Sequence, residues 1–194
     1  RGLGDVYKRQ VHFAPHFSYE EESMNVIKTV FGLINRIMPT EPGYAHCDIP
    51  CGIYDPHAAQ IAALSTVRMN QLIDGMDPPS PDMSPNDRVA AVSALSRYVA
   101  EKERSAEQCK HELRIIWGDY VKPNHVADHP DIHEKFIGAM RLASAVRQNN
   151  GLQAAEDLLK AVQDVAEVFW KTKGAGTTRQ PSRHAVGHEL VYPA

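Results

Sequence analysis

From position 57 onward the apolar residues recur at helical spacing, and the period-two alternation of a half-buried strand is nearly absent. The first periodic stretch predicts a helix from about His57 to Ile73, with Ile61, Leu64 and Leu72 among its apolar positions, stopping at Asp74-Gly75. Asp77-Pro78-Pro79-Ser80-Pro81 reads as a loop. Ser84-Pro85-Asn86-Asp87 then supplies a cap, a proline at the first helical position and an acid three residues after the cap. The helix it opens should run to about Trp117 on a stripe of Val89, Val92, Leu95, Val99, Cys109, Leu113 and Ile116. Lys122-Pro123-Asn124 turns the chain. Asp128 or His129 caps a third helix through Ile132, Phe136, Ile137, Met140 and Ala143, which Asn149-Asn150-Gly151 ends. A fourth carries Leu152, Ala155, Leu158, Leu159, Val162, Val165, Phe169 and Trp170. Four helices with short connections predict an all-α fold, an antiparallel four-helix bundle over residues 57–173. Residues 174–194 are rich in Gly, Thr, Ser, Pro and His, have no period, and predict a flexible C-terminal tail.

Composition narrows the class without choosing a function. The chain has 194 residues, 43% hydrophobic and 23% charged, which suits one modest domain, and no run approaches the roughly 20 apolar residues of a membrane helix. Net charge is −3, and neither nucleic acid nor membrane is expected as a partner. Three cysteines make a poor disulfide framework, and a thiol pair at Cys47 and Cys51 suits a reducing compartment, so the cytoplasm is the expected location.

The chemistry concentrates in His46-Cys47-Asp48-Ile49-Pro50-Cys51-Gly52-Ile53-Tyr54-Asp55-Pro56, which places an imidazole and two thiols beside a phenol. A proline before the second thiol and a glycine after it let the loop curl so that both sulfurs reach one ion. The spacing is wider than the Cys-x-x-Cys of a zinc ribbon, and no second cysteine pair follows. On residue types alone, the loop suits zinc or a redox thiol pair as well as nickel.

The run resembles the nickel-binding hook of the nickel superoxide dismutases, His-Cys-x-x-Pro-Cys-Gly-x-Tyr, with every fixed position present. The likeness continues through Trp117-Gly118-Asp119-Tyr120-Val121-Lys122-Pro123-Asn124-His125 and Pro130-Asp131-Ile132-His133, and ends near Phe169-Trp170-Lys171-Thr172-Lys173. It implies a superoxide dismutase, one nickel per subunit cycling between Ni(III) and Ni(II), and His46, Cys47 and Cys51 as the metal ligands. Cleavage before His46 would free an amine that, with the Cys47 amide nitrogen and the two sulfurs, completes a square plane, and the His46 imidazole would add an axial ligand. Such a tetragonal plane suits Ni(II) or Cu(II) better than zinc. The resemblance further implies Tyr54 as a gate over the open face, Tyr120 behind it, Lys122 helping to position the loop and guide the anionic substrate, and Asp48 in the catalytic group. A maturation peptidase and a homohexamer are the partners it implies, with superoxide as substrate.

The amine ligand makes residues 1–45 a leader or propeptide, with Met24 as a start and residues 1–23, including Asp5-Val6-Tyr7-Lys8-Arg9-Gln10, as artefactual sequence. One departure stands out. Relatives hold the axial imidazole with a Glu on the first helix paired to an Arg on the second, and the corresponding positions here are Ala62 and Ser105. Arg104 or Glu103 would then have to replace them. Two other functions compete with dismutation: a nickel- or copper-sequestering protein that turns over poorly, and a helical interaction protein whose Cys47 and Cys51 form a thiol switch. His125, His129 and His133 are read as capping and surface residues rather than a second metal site, Cys109 as a small buried hydrophobe, and Trp117 and Trp170 as core or interface aromatics.

Overall fold

A computed structural model describes residues 52–194. Helix α1 spans His57–Asp74, α2 Pro85–Ile115, α3 Pro123–Asp128, α4 Ile132–Gln148 and α5 Leu152–Thr172, followed by strands β1 Thr177–Pro181 and β2 Glu189–Pro193. The described part is mostly helical. Helix α1 packs on α2 and α5, and α4 packs on the same two helices, so the four long helices form a closed ring of contacts. Leu113, Phe136, Leu158, Val162 and Phe169 fill the interior between them.

Helix α1 begins and ends close to its predicted limits, but its buried face is narrower than the large apolar residues suggested. Ala59, Ala62, Ala63, Leu64 and Val67 are buried, whereas Ile61 and Leu72 are only half-buried. Small side chains let a neighbouring helix approach closely, and α1 uses them on the side toward α2 and α5. Helix α2 starts as predicted: the Ser84 hydroxyl accepts the Asp87 N–H at 3.2 Å, and Pro85 occupies the first turn. Its first half does not join the core. Val89 is 70% exposed and Val92 49%, and burial begins only at Lys102. At about 1.5 Å per residue, a helix of 31 residues outruns one of 18 by ~20 Å, so the predicted stripe overhangs its partner.

Two connections differ from expectation. Lys122-Pro123-Asn124 opens the short helix α3 instead of a simple turn, because proline is tolerated in the first helical turn, where its N–H is not needed. Helix α4 begins after Asp131, later than a cap at Asp128 or His129 would put it, since those residues close α3.

The largest correction concerns the tail. Residues 177–193 form an antiparallel hairpin in which Thr177 faces Pro193 and Pro181 faces Glu189. Val186, Leu190 and Val191 are buried. Glutamines of the helices complete the hydrogen bonding of this backbone. The Gln60 amide donates to the Val191 carbonyl at 2.9 Å and accepts the Val191 N–H at 2.7 Å. Gln71 donates to the Val186 carbonyl at 3.1 Å, and Gln163 to that of Glu189 at 2.8 Å. Arg179 reaches back to Glu167 at 2.7 Å. A segment too polar to fold alone is ordered here by partners distant in sequence.

Buried Lys102 ties the α4–α5 turn to α2, donating to the Asn149 carbonyl at 2.9 Å and to Asn150 Oδ1 at 2.7 Å. No carboxylate among the described residues bonds it, and burial lowers its pKa below the ordinary lysine value of 10.5. The unfolded chain therefore holds this proton more tightly than the folded one, and stability rises as pH climbs through the lowered value toward 10.5. Lys102→Met should abolish that rise. In urea titrations, wild type should gain on the variant between neutral pH and the alkaline window; parallel curves would count against a strained ammonium.

Candidate metal centre

The predicted ligands His46, Cys47 and Cys51, together with Asp48 and the leader 1–45, lie outside the described residues. The last part of the hook, from Gly52 to Pro56, is described. Gly52 has φ +70°, a left-handed conformation that costs an L-residue about 1 kcal/mol or more, and no described residue lies within 4 Å of where a Cβ would sit, so the requirement is conformational. Ile53 points outward, at 80% exposure. Asp55 Oδ1 accepts the His57 N–H at 2.7 Å, satisfying one of the free donors at the start of α1, and Pro56 is buried beneath it. From this glycine the chain reaches the start of α1 at His57 five residues later.

Tyr54 and Tyr120, separated in sequence by the whole of α1 and α2, are brought together with ring centroids 5.5 Å apart and planes inclined at 49°. A π-turn over Ile116–Tyr120 at the end of α2 delivers Tyr120, closed by the Val121 N–H to the Ile116 carbonyl at 3.2 Å. Such one-residue expansions re-aim side chains and frequently occur at functional sites. Four further groups surround the Tyr120 ring. His125 stacks on it at 4.8 Å and 25°, Phe169 lies at 4.8 Å, the Lys173 ammonium sits 5.2 Å from its centroid, and the hydroxyl lies 2.7 Å from Thr172 Oγ1. Lys122 is exposed at the start of α3, and its backbone N–H donates to His125 Nδ1 at 3.3 Å. That bond makes Nδ1 the acceptor of the ring, so neutral His125 carries its proton on Nε2.

Of the predicted site residues that are described, Tyr54 and Tyr120 therefore meet, while Lys122 is joined to Tyr120 through His125. Sequence reasoning missed His125 as a second wall of Tyr120, and missed Thr172 and Lys173 entirely. A Lys-Pro-x-His start of α3 was visible; the pairing of position 120 with 172 was not, because nothing in either local pattern points to the other.

The remaining histidines separate. His133 Nδ1 accepts the Trp117 indole N–H at 2.9 Å, and His188 lies 3.7 Å from Glu156. Among the described residues no group of three His, Cys, Asp or Glu could hold a metal. Cys109 is fully buried, and burial pushes its thiol up to about 12, which keeps it protonated and inert. Ala62 and Ser105 are both buried on α1 and α2. The Ser105 hydroxyl donates to Glu101 Oε1 at 3.2 Å, and the same carboxylate holds the exposed Arg104 at 2.9 Å, which lowers the Glu101 pKa. Arg104 is thus committed to a surface ion pair on its own helix, and Glu103 is exposed beside it.

The donor set of the hook fits nickel on chemical grounds. Two thiolates, with the amine that cleavage before His46 would free and an amide nitrogen, would form a tetragonal set of soft and strongly basic donors, and the described residues that follow are a left-handed glycine and a fixed phenol. Comparison with known proteins agrees. The model of the nickel-containing superoxide dismutase family matches residues 41–173. Superoxide dismutase [Ni] of Streptomyces coelicolor is 30% identical over 131 residues, 68% of this chain and 90% of that protein. The enzyme of the same name from Streptomyces seoulensis is 32% identical over the same lengths. A native nickel superoxide dismutase structure superposes with a TM-score of 0.57 at 30% identity, over 66% of this chain and 99% of its own. A second, with nickel ligation of the oxidised state, gives 0.58 at 30%, covering 67% and 100%. The family match ends before the hairpin begins.

Proposed function

Because this chain belongs to the nickel-containing superoxide dismutase family, we propose that it becomes active by cleavage before His46 and works as a hook set on an antiparallel four-helix bundle. The chain is an oxidoreductase that converts superoxide to dioxygen and hydrogen peroxide. His46 would hold nickel through its amine and imidazole, Cys47 through its amide nitrogen and sulfur, and Cys51 through its sulfur. Bound nickel supplies the one-electron couple, Ni(II)/Ni(III), that dismutation requires. The protein's residues do the rest. Tyr54 stands as a gate that limits access to small species, Tyr120 backs it, and Asp48 belongs to the catalytic group. Lys122 adds local positive charge for an anionic substrate on a chain whose overall charge is −3. A maturation peptidase, assembly into a homohexamer and a cytoplasmic location complete the reading.

The observation that supports it most is the Tyr54–Tyr120 contact, which fixes a phenol three residues beyond the second thiol. Superoxide consumption by two nickel-loaded samples tests it, one beginning at His46 and one retaining Ala45. Only the His46 form should turn over; equal rates would sink the amine-ligand mechanism. The absence of a Glu–Arg pair at Ala62 and Ser105 favours a second reading, nickel sequestration, which predicts tight nickel binding by the His46 form with no turnover.

A further inference from the structure

We infer that Thr172 is a positioning residue that fixes the direction of the Tyr120 hydroxyl proton and thereby makes that phenol a hydrogen-bond acceptor at the site; this rests on the dismutase reading above. A hydroxyl has one proton to donate. Thr172 Oγ1 lies 2.6 Å from the Phe169 carbonyl, which only accepts, so the threonine proton is directed there. That carbonyl is available because the Lys173 N–H, which a continuing α-helix would send to it, bonds Trp170 instead at 3.0 Å. The 2.7 Å contact between Thr172 Oγ1 and the Tyr120 hydroxyl then has one possible donor, the phenol. Tyr120 consequently offers only oxygen lone pairs to any other group it meets.

The last turn of α5 holds Tyr120 at three places: Phe169 against the ring at 4.8 Å, Lys173 over it at 5.2 Å, and Thr172 at the hydroxyl. With His125 stacked on the ring, both its plane and its proton are set. Tyr120 therefore acts as a hydrogen-bond acceptor at the site, orienting water or peroxide by their protons. Proton donation then falls to groups other than Tyr120.

The test uses the chain beginning at His46 with tyrosine labelled by carbon-13 at Cζ, as wild type, Thr172→Val and Thr172→Ser, and Tyr120→Phe to assign the signal. Without nickel, Thr172→Val should shift the Tyr120 Cζ resonance and Thr172→Ser should leave it near the wild-type position. With equal nickel and matched melting temperatures, Thr172→Val should lower superoxide turnover about tenfold, the low end of the roughly 10–100-fold cost of losing a supporting hydrogen-bond partner, and change its pH profile. Thr172→Ser should restore both. An unchanged resonance and rate in Thr172→Val, or equal losses in the two variants, would overturn the inference. A nickel-loaded wild type without turnover would instead overturn the dismutase reading, and the Cζ shift would still report the proton's direction.

Discussion

Cys51→Ser, in the chain beginning at His46, is expected to lose both nickel and superoxide turnover. A serine hydroxyl matches the size of the thiol but is not ionised at neutral pH, and its oxygen is a hard donor where the plane requires a soft anionic one. The change removes a direct ligand, so the loss of affinity should exceed the roughly 10–100-fold that an outer hydrogen-bond partner costs. Cys47→Ser should be at least as severe, since that residue supplies two donors of the proposed plane. Nickel content after desalting, measured by mass spectrometry beside the rate, checks this. Cys109→Ser is the control: its buried thiol, held near 12, has no part in the hook, and the variant should keep its nickel. Full nickel retention by Cys51→Ser would exclude the hook as the binding site.

Leu190→Ala is expected to destabilise the protein by about 2–5 kcal/mol, the usual range for truncating a buried leucine. Leu190 is 1% exposed in the hairpin and belongs to the same hydrophobic core as the helices. For a domain of this size that corresponds to a fall of roughly 5–15 °C in melting temperature. Gln60→Ala should add an independent loss, because the Val191 N–H and carbonyl would both be left buried without their amide partner, at about 1–3 kcal/mol for each unsatisfied group. Thermal unfolding and the amide exchange of Val191 distinguish this arrangement from a free tail, in which neither substitution would change the melting temperature or the exchange rate.

The contrast between these two experiments follows from how each feature is encoded. The hook is local: its imidazole, its two thiols, its proline and its glycine lie within one short run of sequence, so the proposed chemistry could be read from residue types and spacing once the resemblance chose among nickel, zinc and a thiol pair. The limits of α1 and the start of α2 are local too. Ser84, Pro85 and Asp87 interact across a single turn, and the structure forms that cap. The overhang of α2 was not legible, since the spacing of Val89, Val92 and Leu95 is the same whether or not a partner helix extends that far.

Residue types and spacing alone were enough for a helical chain preceded by a soft, nitrogen- and sulfur-rich donor run, because helix periodicity, capping and chelation act over a few residues. The remaining features depend on contacts between distant segments. The tail becomes a hairpin because Gln60, Gln71 and Gln163 satisfy its backbone from other elements. Tyr120 meets Tyr54 because a π-turn re-aims it, and its proton points away from the other groups at the site because Thr172, from the far end of α5, accepts it. These are pairings across long sequence separations, where no local pattern constrains the partner and packing alone selects it.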